Sequence, residues 1–203
     1  MTQILSKRRE QTRARLLDAA HEVFGEVGMD AASVEMICER AGFTRGAFYS
    51  NFESKEDLLL ALITQLARQK LDEIAARVDT LDPDGPVDLP AFVRRAMGPP
   101  DGDRIGLQLG SEIRSQALRD ARLGAAYLAW QTEMSARITG IVTHVASVFD
   151  LRLRLPAEEI AQVLIDVSDE TCVRGVLEGR TDAEVNAQHN ARIERLVSAL
   201  VDA

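Results

Sequence analysis

The sequence predicts an all-α protein of about nine helices, and three observations support this fold class. Apolar residues recur every three or four positions along almost the whole chain, the spacing that puts them on one face of a helix. Aromatic residues make up only 4% of the 203 residues, and no segment has the alternation typical of a β-strand. Glycine, proline and helix-capping residues stand at the ends of the periodic segments.

The first three predicted helices are one long helix followed by two short ones. Periodicity predicts the long helix over residues 8–27, where a glycine ends it. Ser33 stands in the N-cap position of the second helix, which Gly42 ends. Thr44 is placed to cap a third helix that runs only to about Ser50.

The rest of the chain predicts longer helices separated by two loops. Ser54 is the expected N-cap of a fourth helix that runs to about Leu81. Residues 82–90 and 98–103 are dense in Pro, Gly and Asp and predict linkers. Asp182 is the expected cap of the last helix. The remaining helices are predicted over residues 90–97, 104–118, 120–150, 156–179 and 182–202.

Charge is distributed unevenly along the chain. The net charge of −8 comes entirely from residues 56–203, because residues 1–55 hold eight basic and eight acidic side chains. Within residues 1–17, five Lys and Arg residues face a single Glu. This basic arm permits contact with DNA at one end of the chain. A solvated, disordered tail explains the same charges equally well.

The composition also excludes several classes of protein. No apolar run approaches the roughly 18–20 residues of a membrane span, and the start lacks the pattern of a secretion signal. Cys38 and Cys172 are far apart and predict a reducing compartment, so we expect a cytoplasmic protein with no membrane association. The scattered His and Cys residues predict no metal site. Without a Gly-rich phosphate loop or a catalytic dyad, the sequence predicts neither an enzyme nor a cofactor.

The second and third helices together predict a helix-turn-helix, in which two short helices meet at a tight turn. Cys38 supplies the small side chain that a close helix crossing needs, and Gly42 supplies the turn. The second helix of such a unit enters the major groove of DNA by its N-terminal end. The expected base-facing residues are Thr44, Arg45, Gly46 and Ala47. Arg45 is suited to guanine and Ala47 to a thymine methyl group.

Donors for the DNA backbone are expected around these residues. The candidates for phosphate contact are Ser33, Tyr49, Asn51 and Lys55. Lys55 also begins the fourth helix, whose free N–H groups favour anions. Phe48 and Phe52 are interpreted as core residues of the motif rather than DNA contacts.

The segment GFTRGAFYSNFESKEDLL resembles the DNA-binding signature of the TetR/AcrR family of transcriptional repressors. The resemblance covers about residues 10–62 and includes the preceding helix end VFGEVGMDAAS. It departs from the family pattern at Ser50 and Asn51, where an aromatic residue and a histidine are usual, and at Cys38, where alanine is usual. Glu53 adds an anion close to the expected path of the DNA backbone.

The resemblance implies a two-domain, ligand-responsive DNA-binding protein. It divides the chain into a helix-turn-helix domain with a basic arm, residues 1–53, and a ligand-binding and dimerisation domain, residues 54–203. It implies a homodimer that binds a palindromic double-stranded DNA operator and is released by a small-molecule inducer. Two alternatives remain at this point. The protein could activate transcription instead of repressing it, or it could be a structural adaptor whose helix-turn-helix domain does not bind DNA.

The resemblance also indicates where ligand and partner would bind. The ligand pocket is expected among the fourth to eighth helices, with candidate residues Phe92, Met97, Gln108, Glu112, Tyr127, Trp130, Met134, Asp169 and Cys172. The two acids favour a cationic ligand, although plain core packing or pairing with Arg explains the set as well. The last two helices, about 156–179 and 182–202, are expected to form the dimer interface. The small residues Ser168, Cys172 and Gly175 would allow a partner to approach closely.

Overall fold

A computed structural model describes residues 2–80, 89–97 and 104–202 of the chain. Within these ranges, the side chains at positions 2–6, 89, 92, 104, 105 and 107 are not described. The described part contains nine helices and two strands of two residues each, which confirms the all-α fold class. The predicted linker 98–103 and most of the linker 82–90 lie outside the described residues.

The observed elements follow the predicted order closely. The helices are α1 Thr2–Ala31, α2 Val34–Ala41, α3 Arg45–Tyr49, α4 Lys55–Asp79, α5 Leu89–Met97, α6 Arg104–Ala117, α7 Ala121–Val148, α8 Ala157–Leu177 and α9 Asp182–Leu200. The strands are β1 Arg152–Leu153 and β2 Val201–Asp202. No helix in this part of the chain is long and apolar enough to cross a membrane.

The expectation of a chain without strands is wrong at four residues. Arg152 pairs with Asp202 and Leu153 with Val201 in an antiparallel ladder, so the last helix ends at Leu200. The Arg154 guanidinium also donates to the Asp202 carboxylate, 3.0 Å from its Nε. Two residues a strand are too few to produce a visible period, and only the folded chain brings the two segments together.

Two predicted helix starts are also wrong. Helix α1 begins at Thr2, well before residue 8, although Gly28 interrupts it with a φ of 78° close to the predicted end. The last helix is capped by Thr181 rather than Asp182. The Thr181 hydroxyl accepts from the Glu184 N–H while the Glu184 carboxylate accepts from the Thr181 N–H, a reciprocal capping box.

The chain forms two compact units. The first contains residues up to Leu66 together with Ile105–Leu128, and its core is built by α1, α2, α3 and the adjoining helices. Buried core residues of this unit are Leu16, Ala20, Val23, Ile37, Phe48, Phe52, Leu58, Leu59, Leu62 and Ile113. The second contains Ala67–Arg104 and Ala129–Ala203. The predicted functional boundary between residues 53 and 54 remains a prediction.

In the second unit, α4 and α7 are joined by two ion pairs and a hydrogen-bonded His–Asp pair. Arg68 pairs with Glu133 (Nε–Oε1 2.8 Å), Arg137 with Asp72, and His144 with Asp79. Partners in all three pairs are 65 residues apart in sequence, so these two helix segments run parallel. Between α8 and α9, a Cβ added to Gly175 would lie 2.7 Å from a methyl of Val185, which shows how closely these helices pack.

Candidate nucleic-acid interface

The helix-turn-helix is fixed by caps at each of its turns. The Ser33 hydroxyl accepts from the Met36 N–H at 3.2 Å at the start of α2. At the end of α2, Gly42 has a φ of 71°, a left-handed conformation that glycine adopts without strain. The Gly42 N–H donates to the Glu39 carbonyl and the Phe43 N–H to the Cys38 carbonyl. These two bonds form a Schellman motif, which sets the direction in which the chain leaves α2.

Helix α3 is short, and one buried ring anchors it. The Thr44 hydroxyl accepts from the Ala47 N–H at 3.3 Å, as expected for its predicted N-cap role. Phe48 is fully buried, and Cys38 on α2 is buried too, which confirms both as core residues. With this side of α3 turned into the core, its opposite edge is presented to solvent.

That exposed edge carries the residues expected to face the bases. Thr44, Arg45 and Gly46 are exposed, and Ala47 is half-buried. A Cβ placed on Gly46 would have only the Thr44 hydroxyl within 4 Å, at 3.7 Å, so nothing large covers the front of the helix. The fold therefore brings these four residues together on one accessible edge.

Arg45 lies between a carboxylate and an aromatic ring. Its Nη1 is 2.7 Å from Oε1 of Glu35 on α2. Its guanidinium carbon is 5.9 Å from the centre of the Tyr49 ring. A hydrogen bond with Tyr49, followed by the charge of Glu35, raises the pKa of Arg45 above its usual value. The sequence does not indicate this contact of Glu35, because a contact between two short helices leaves no periodic signal.

Tyr49 and Asn51 follow at the end of α3 and differ in their exposure and in their hydrogen bonds. Tyr49 is 51% exposed, and its ring meets Phe48 edge-on with centroids 5.2 Å apart. Asn51 is half-buried, and its Nδ2 donates to the Ala47 carbonyl at 2.8 Å. About half of the Tyr49 side chain is thus open to solvent, whereas one amide hydrogen of Asn51 already satisfies the helix end.

The Lys55 ammonium holds the turn between α1 and α2. It donates to the Met29 carbonyl at 2.8 Å and to the Ala32 carbonyl at 2.9 Å. A lysine ammonium has three N–H groups, so one is left for a phosphate. The predicted phosphate contact of Lys55 would therefore be made by a side chain that is already fixed in place.

The basic arm is helical rather than a separate tail. Arg9 donates to the Ser50 carbonyl at 3.2 Å and Arg13 to the Asn51 carbonyl at 3.0 Å. The Arg13 guanidinium also lies 4.2 Å from the centre of the Phe52 ring, and burial lowers its pKa. These arginines bind carbonyls that the end of α3 leaves open. Their charge is evident in the sequence, but this positioning role is not, since the contacts span about forty residues.

Glu53, which the sequence identified as an anion near the DNA path, has a partner. Arg122, in the first turn of α7, places Nη1 2.7 Å from its Oε2. Both side chains are well exposed, at 78% for Glu53 and 64% for Arg122. The pair offsets the carboxylate and brings an additional cation to this surface, which nothing in the local sequence around Arg122 indicates.

The candidate ligand residues are divided between the two compact units. Gln108, Glu112 and Tyr127 belong to the first unit. Gln108 is exposed, Glu112 accepts from Gln116 Nε2 at 2.8 Å, and buried Tyr127 accepts from Arg114 Nε at 3.3 Å. These contacts engage Glu112 and Tyr127 within their own unit, and a ligand role for the three stays a prediction.

The second unit holds the other ligand candidates. Met134 and Cys172 are buried, and burial raises the pKa of the Cys172 thiol to about 11. Met97, Trp130 and Asp169 are half-buried. The side chain of Phe92 lies outside the described residues. Among the described residues, no group of three or more His, Cys, Asp and Glu side chains is arranged to hold a metal ion.

The small residues expected to admit a partner instead serve packing within the chain. Gly175 lies against Val185 of the same chain. The Ser168 hydroxyl is 2.9 Å from His189 Nε2, and Cys172 is buried. Burial of His189 lowers its pKa. The dimer prediction therefore depends on other apolar residues of these helices, such as Leu177, which is 81% exposed.

Comparison with known proteins places the helix-turn-helix segment in a known class of regulators. Residues 16–62 match the model of the bacterial regulatory proteins of the tetR family. An uncharacterized HTH-type transcriptional regulator of Mycobacterium bovis is 36% identical over 91 residues, which are 45% of this chain and 46% of that protein. The matched segment thus spans about half the length of that relative.

Two solved structures share the fold over nearly the whole chain. A TetR transcription regulator from Haloarcula marismortui has a TM-score of 0.69 at 18% identity and covers 95% of this chain and 100% of its own. A transcriptional regulator from Saccharomonospora viridis, in complex with choline, has a TM-score of 0.66 at 16% identity, with 96% and 100% covered. At these identities the likeness establishes the fold.

The capped helix-turn-helix, its exposed α3 edge and the helical body define a bacterial regulator of the helix-turn-helix class. The matched segment contains α2, α3 and the turns on either side of them. Over this segment, residues 16–62, the chain matches the tetR family of bacterial regulatory proteins.

Proposed function

We propose that this protein is a sequence-specific DNA-binding transcriptional regulator, a homodimeric repressor that leaves a palindromic operator when a small-molecule inducer binds. The observation that carries the proposal is the exposed edge of α3, where Thr44 and Arg45 lead a helix held by caps inside the family-matched segment. Binding to a chromosomal operator would require the protein to work in the bacterial cytoplasm.

In this proposal the N-terminal end of α3 enters the major groove. Arg45 donates to a guanine edge, while Gly46 and Ala47 allow the backbone to come close to the bases. Ser33, Tyr49, Asn51 and Lys55 contact backbone phosphates, which set the register but carry no sequence information. The α1 arginines that bind the end of α3 keep that helix in position.

In the proposed homodimer, the second subunit supplies a second recognition helix. Two recognition helices about 34 Å apart would read successive major grooves on one face of the duplex. We assign the interface to α8 and α9, and the exposed Leu177 near the end of α8 supports this assignment. A symmetric dimer of this kind predicts a palindromic site.

Induction requires that ligand and DNA favour different conformations. A coupling of about 1–3 kcal/mol would weaken DNA binding by about 5- to 150-fold. The candidate acids Glu112 and Asp169 favour a cationic ligand, and the Saccharomonospora viridis protein was solved with choline. Choline is therefore the first probe. If it raises the unfolding temperature without weakening operator binding, the induction model fails.

The DNA-binding claim is tested by selection from a random double-stranded DNA pool with the full-length protein at near-physiological salt. The expected result is a palindrome with half-sites about one helical turn apart. Absence of any enriched sequence would contradict the proposal. An enriched sequence without two-fold symmetry would contradict the dimeric part of it.

A variant pair then tests the recognition helix. Arg45→Ala combined with Tyr49→Ala should abolish binding to the selected duplex while the protein remains folded. Arg68→Ala is the matched control, because Arg68 is also exposed and pairs with Glu133 at 2.8 Å, and neither residue is assigned to the DNA-reading surface or the dimer interface. Unchanged affinity in the double variant would leave a structural adaptor as the better interpretation.

Repression is separated from activation in a reporter strain. With the selected operator placed over a promoter, expression of the protein should lower reporter output, and the inducer should restore it. An increase in output on expression would identify an activator, with the same DNA-reading surface.

A further inference from the structure

We infer that Glu35 is a specificity-determining residue of the recognition surface, one that directs Arg45 to base edges and keeps backbone phosphates away from it. The inference deepens the proposed function and rests on it. Neither the family match nor the predicted contact set assigns a role in DNA reading to this residue.

Glu35 lies beside the N-terminal end of α3, next to the residues proposed to face the bases. It lies in the first turn of α2, and its carboxylate is 2.7 Å from Arg45 Nη1 at the first residue of α3. The Gly42 turn and the buried Phe48 hold the two helices in one arrangement. The pair therefore joins two rigid elements and does not depend on a mobile loop.

Arg45 is restrained from a second direction by Tyr49. The ring lies one turn further along α3, and its centre is 5.9 Å from the guanidinium carbon. A long side chain loses conformational freedom when it is ordered, so an arginine already held between carboxylate and ring has less freedom to lose on binding. The guanidinium is thereby presented in a defined orientation before DNA arrives.

Stability does not explain this ion pair. The side chains are 62% exposed for Arg45 and 56% exposed for Glu35, and exposed pairs of this kind contribute little to folding. The pair lies instead on the edge of α3 that the proposed function assigns to the major groove. Its consequences are therefore expected in DNA binding.

The chemistry of a carboxylate in this position discriminates between phosphates and bases. A lone arginine binds any phosphate, which adds affinity for every sequence. The adjacent anion repels phosphate, whereas a base edge can offer guanine acceptors to Arg45 and a cytosine amino donor to Glu35. Specificity built in this way weakens the wrong complexes more than the right one.

The test compares four full-length variants with the wild type: Glu35→Gln, Arg45→Ala, the double variant and Glu39→Gln. Glu39 is the matched control, because it is an exposed acid on the same helix that makes no ion pair among the described residues. Selection from the random duplex pool with wild type and Arg45→Ala identifies the base pair that depends on Arg45. Affinities are then measured for the selected duplex, for that duplex changed at this base pair, and for a random-sequence duplex.

For Glu35→Gln we expect tighter binding to the random duplex and a loss of about fivefold or more in discrimination at the Arg45-dependent base pair. Glu39→Gln should keep that discrimination. In the Arg45→Ala background, Glu35→Gln should change discrimination no further, because its effect passes through Arg45.

Discrimination by Glu35→Gln within about twofold of the wild type would overturn the inference while the proposed function stands. An equal loss in Glu39→Gln, or an effect that persists without Arg45, would also overturn it. If the wild type enriches no sequence at all, the proposed function fails and this inference fails with it.

Discussion

Replacing Lys55 by Met removes an ammonium while keeping most of the length of the side chain. The Lys55 Nζ donates at 2.8 Å to the Met29 carbonyl and at 2.9 Å to the Ala32 carbonyl, across the turn that joins α1 to α2. Hydrogen bonds to a charged group contribute about 1.5–3 kcal/mol each. Because the Lys55 side chain is half-buried, we take the lower end of that range and expect a total loss of about 3 kcal/mol from the two bonds.

In a chain of this length, each kcal/mol shifts the unfolding temperature by about 2–4 °C, so Lys55→Met should lower it by about 6–12 °C. Thermal unfolding followed by far-ultraviolet circular dichroism measures this shift. Lys70→Met is the matched control, since Lys70 is also half-buried but its ammonium makes no hydrogen bond to another described residue.

Equal unfolding temperatures for Lys55→Met and Lys70→Met would refute the reasoning, because the two internal hydrogen bonds would then contribute nothing. The salt dependence of DNA binding tests whether the Lys55 ammonium also contacts a phosphate, in addition to its internal hydrogen bonds. If the Lys55 ammonium binds a phosphate, Lys55→Met should reduce the slope of log affinity against log salt by about 0.9. A purely internal role would leave that slope unchanged.

Three further predictions concern the second unit and the two thiols. Gly175→Ala should destabilise the protein by about 1–3 kcal/mol, because its new carbon would lie 2.7 Å from a methyl group on α9. Gly140→Ala, whose new carbon faces open space, should stabilise the protein by about 0.5–1 kcal/mol. Unfolding temperatures in the opposite order would contradict this. Burial lowers the pKa of His189, so the unfolded chain binds more protons and stability should fall as the pH drops below about 6.5. His189→Gln should lose part of that dependence in thermal unfolding measured between about pH 7.5 and 5.5. Burial raises the pKa of Cys38 and Cys172, the latter to about 11, so neither should react with Ellman's reagent at neutral pH until denaturant is added.

Much of the fold was predictable because helices are specified locally. The period of apolar residues, with caps such as Ser33 and Thr44 and the glycine at position 42, predicts α2 and α3 almost to the residue. Each of these signals acts within one turn of the chain, so a single sequence contains it completely. The predicted exposure of Arg45 and burial of Phe48 follow from the same periodicity.

The errors occur where distant segments meet. The pairing of β1 with β2 joins residues about fifty positions apart and involves two residues a strand, which leaves no pattern to detect. Gly175 was predicted to admit a partner chain, but only the packing of α8 on α9 shows that Val185 of the same chain occupies that space. The small side chain was identified correctly, while its neighbour was not.

By itself, the sequence determined the helical class, the helix-turn-helix and its likeness to the TetR family, because these depend on spacing within short stretches. Only the tertiary structure decided how the recognition residues are held. Lys55 fixes the turn before α2, the α1 arginines bind the end of α3, and Glu35 lies against Arg45. Each of these contacts joins residues about 10 to 40 positions apart in the sequence. Spacing within a short stretch cannot indicate which distant side chains the fold will bring within about 3 Å of each other.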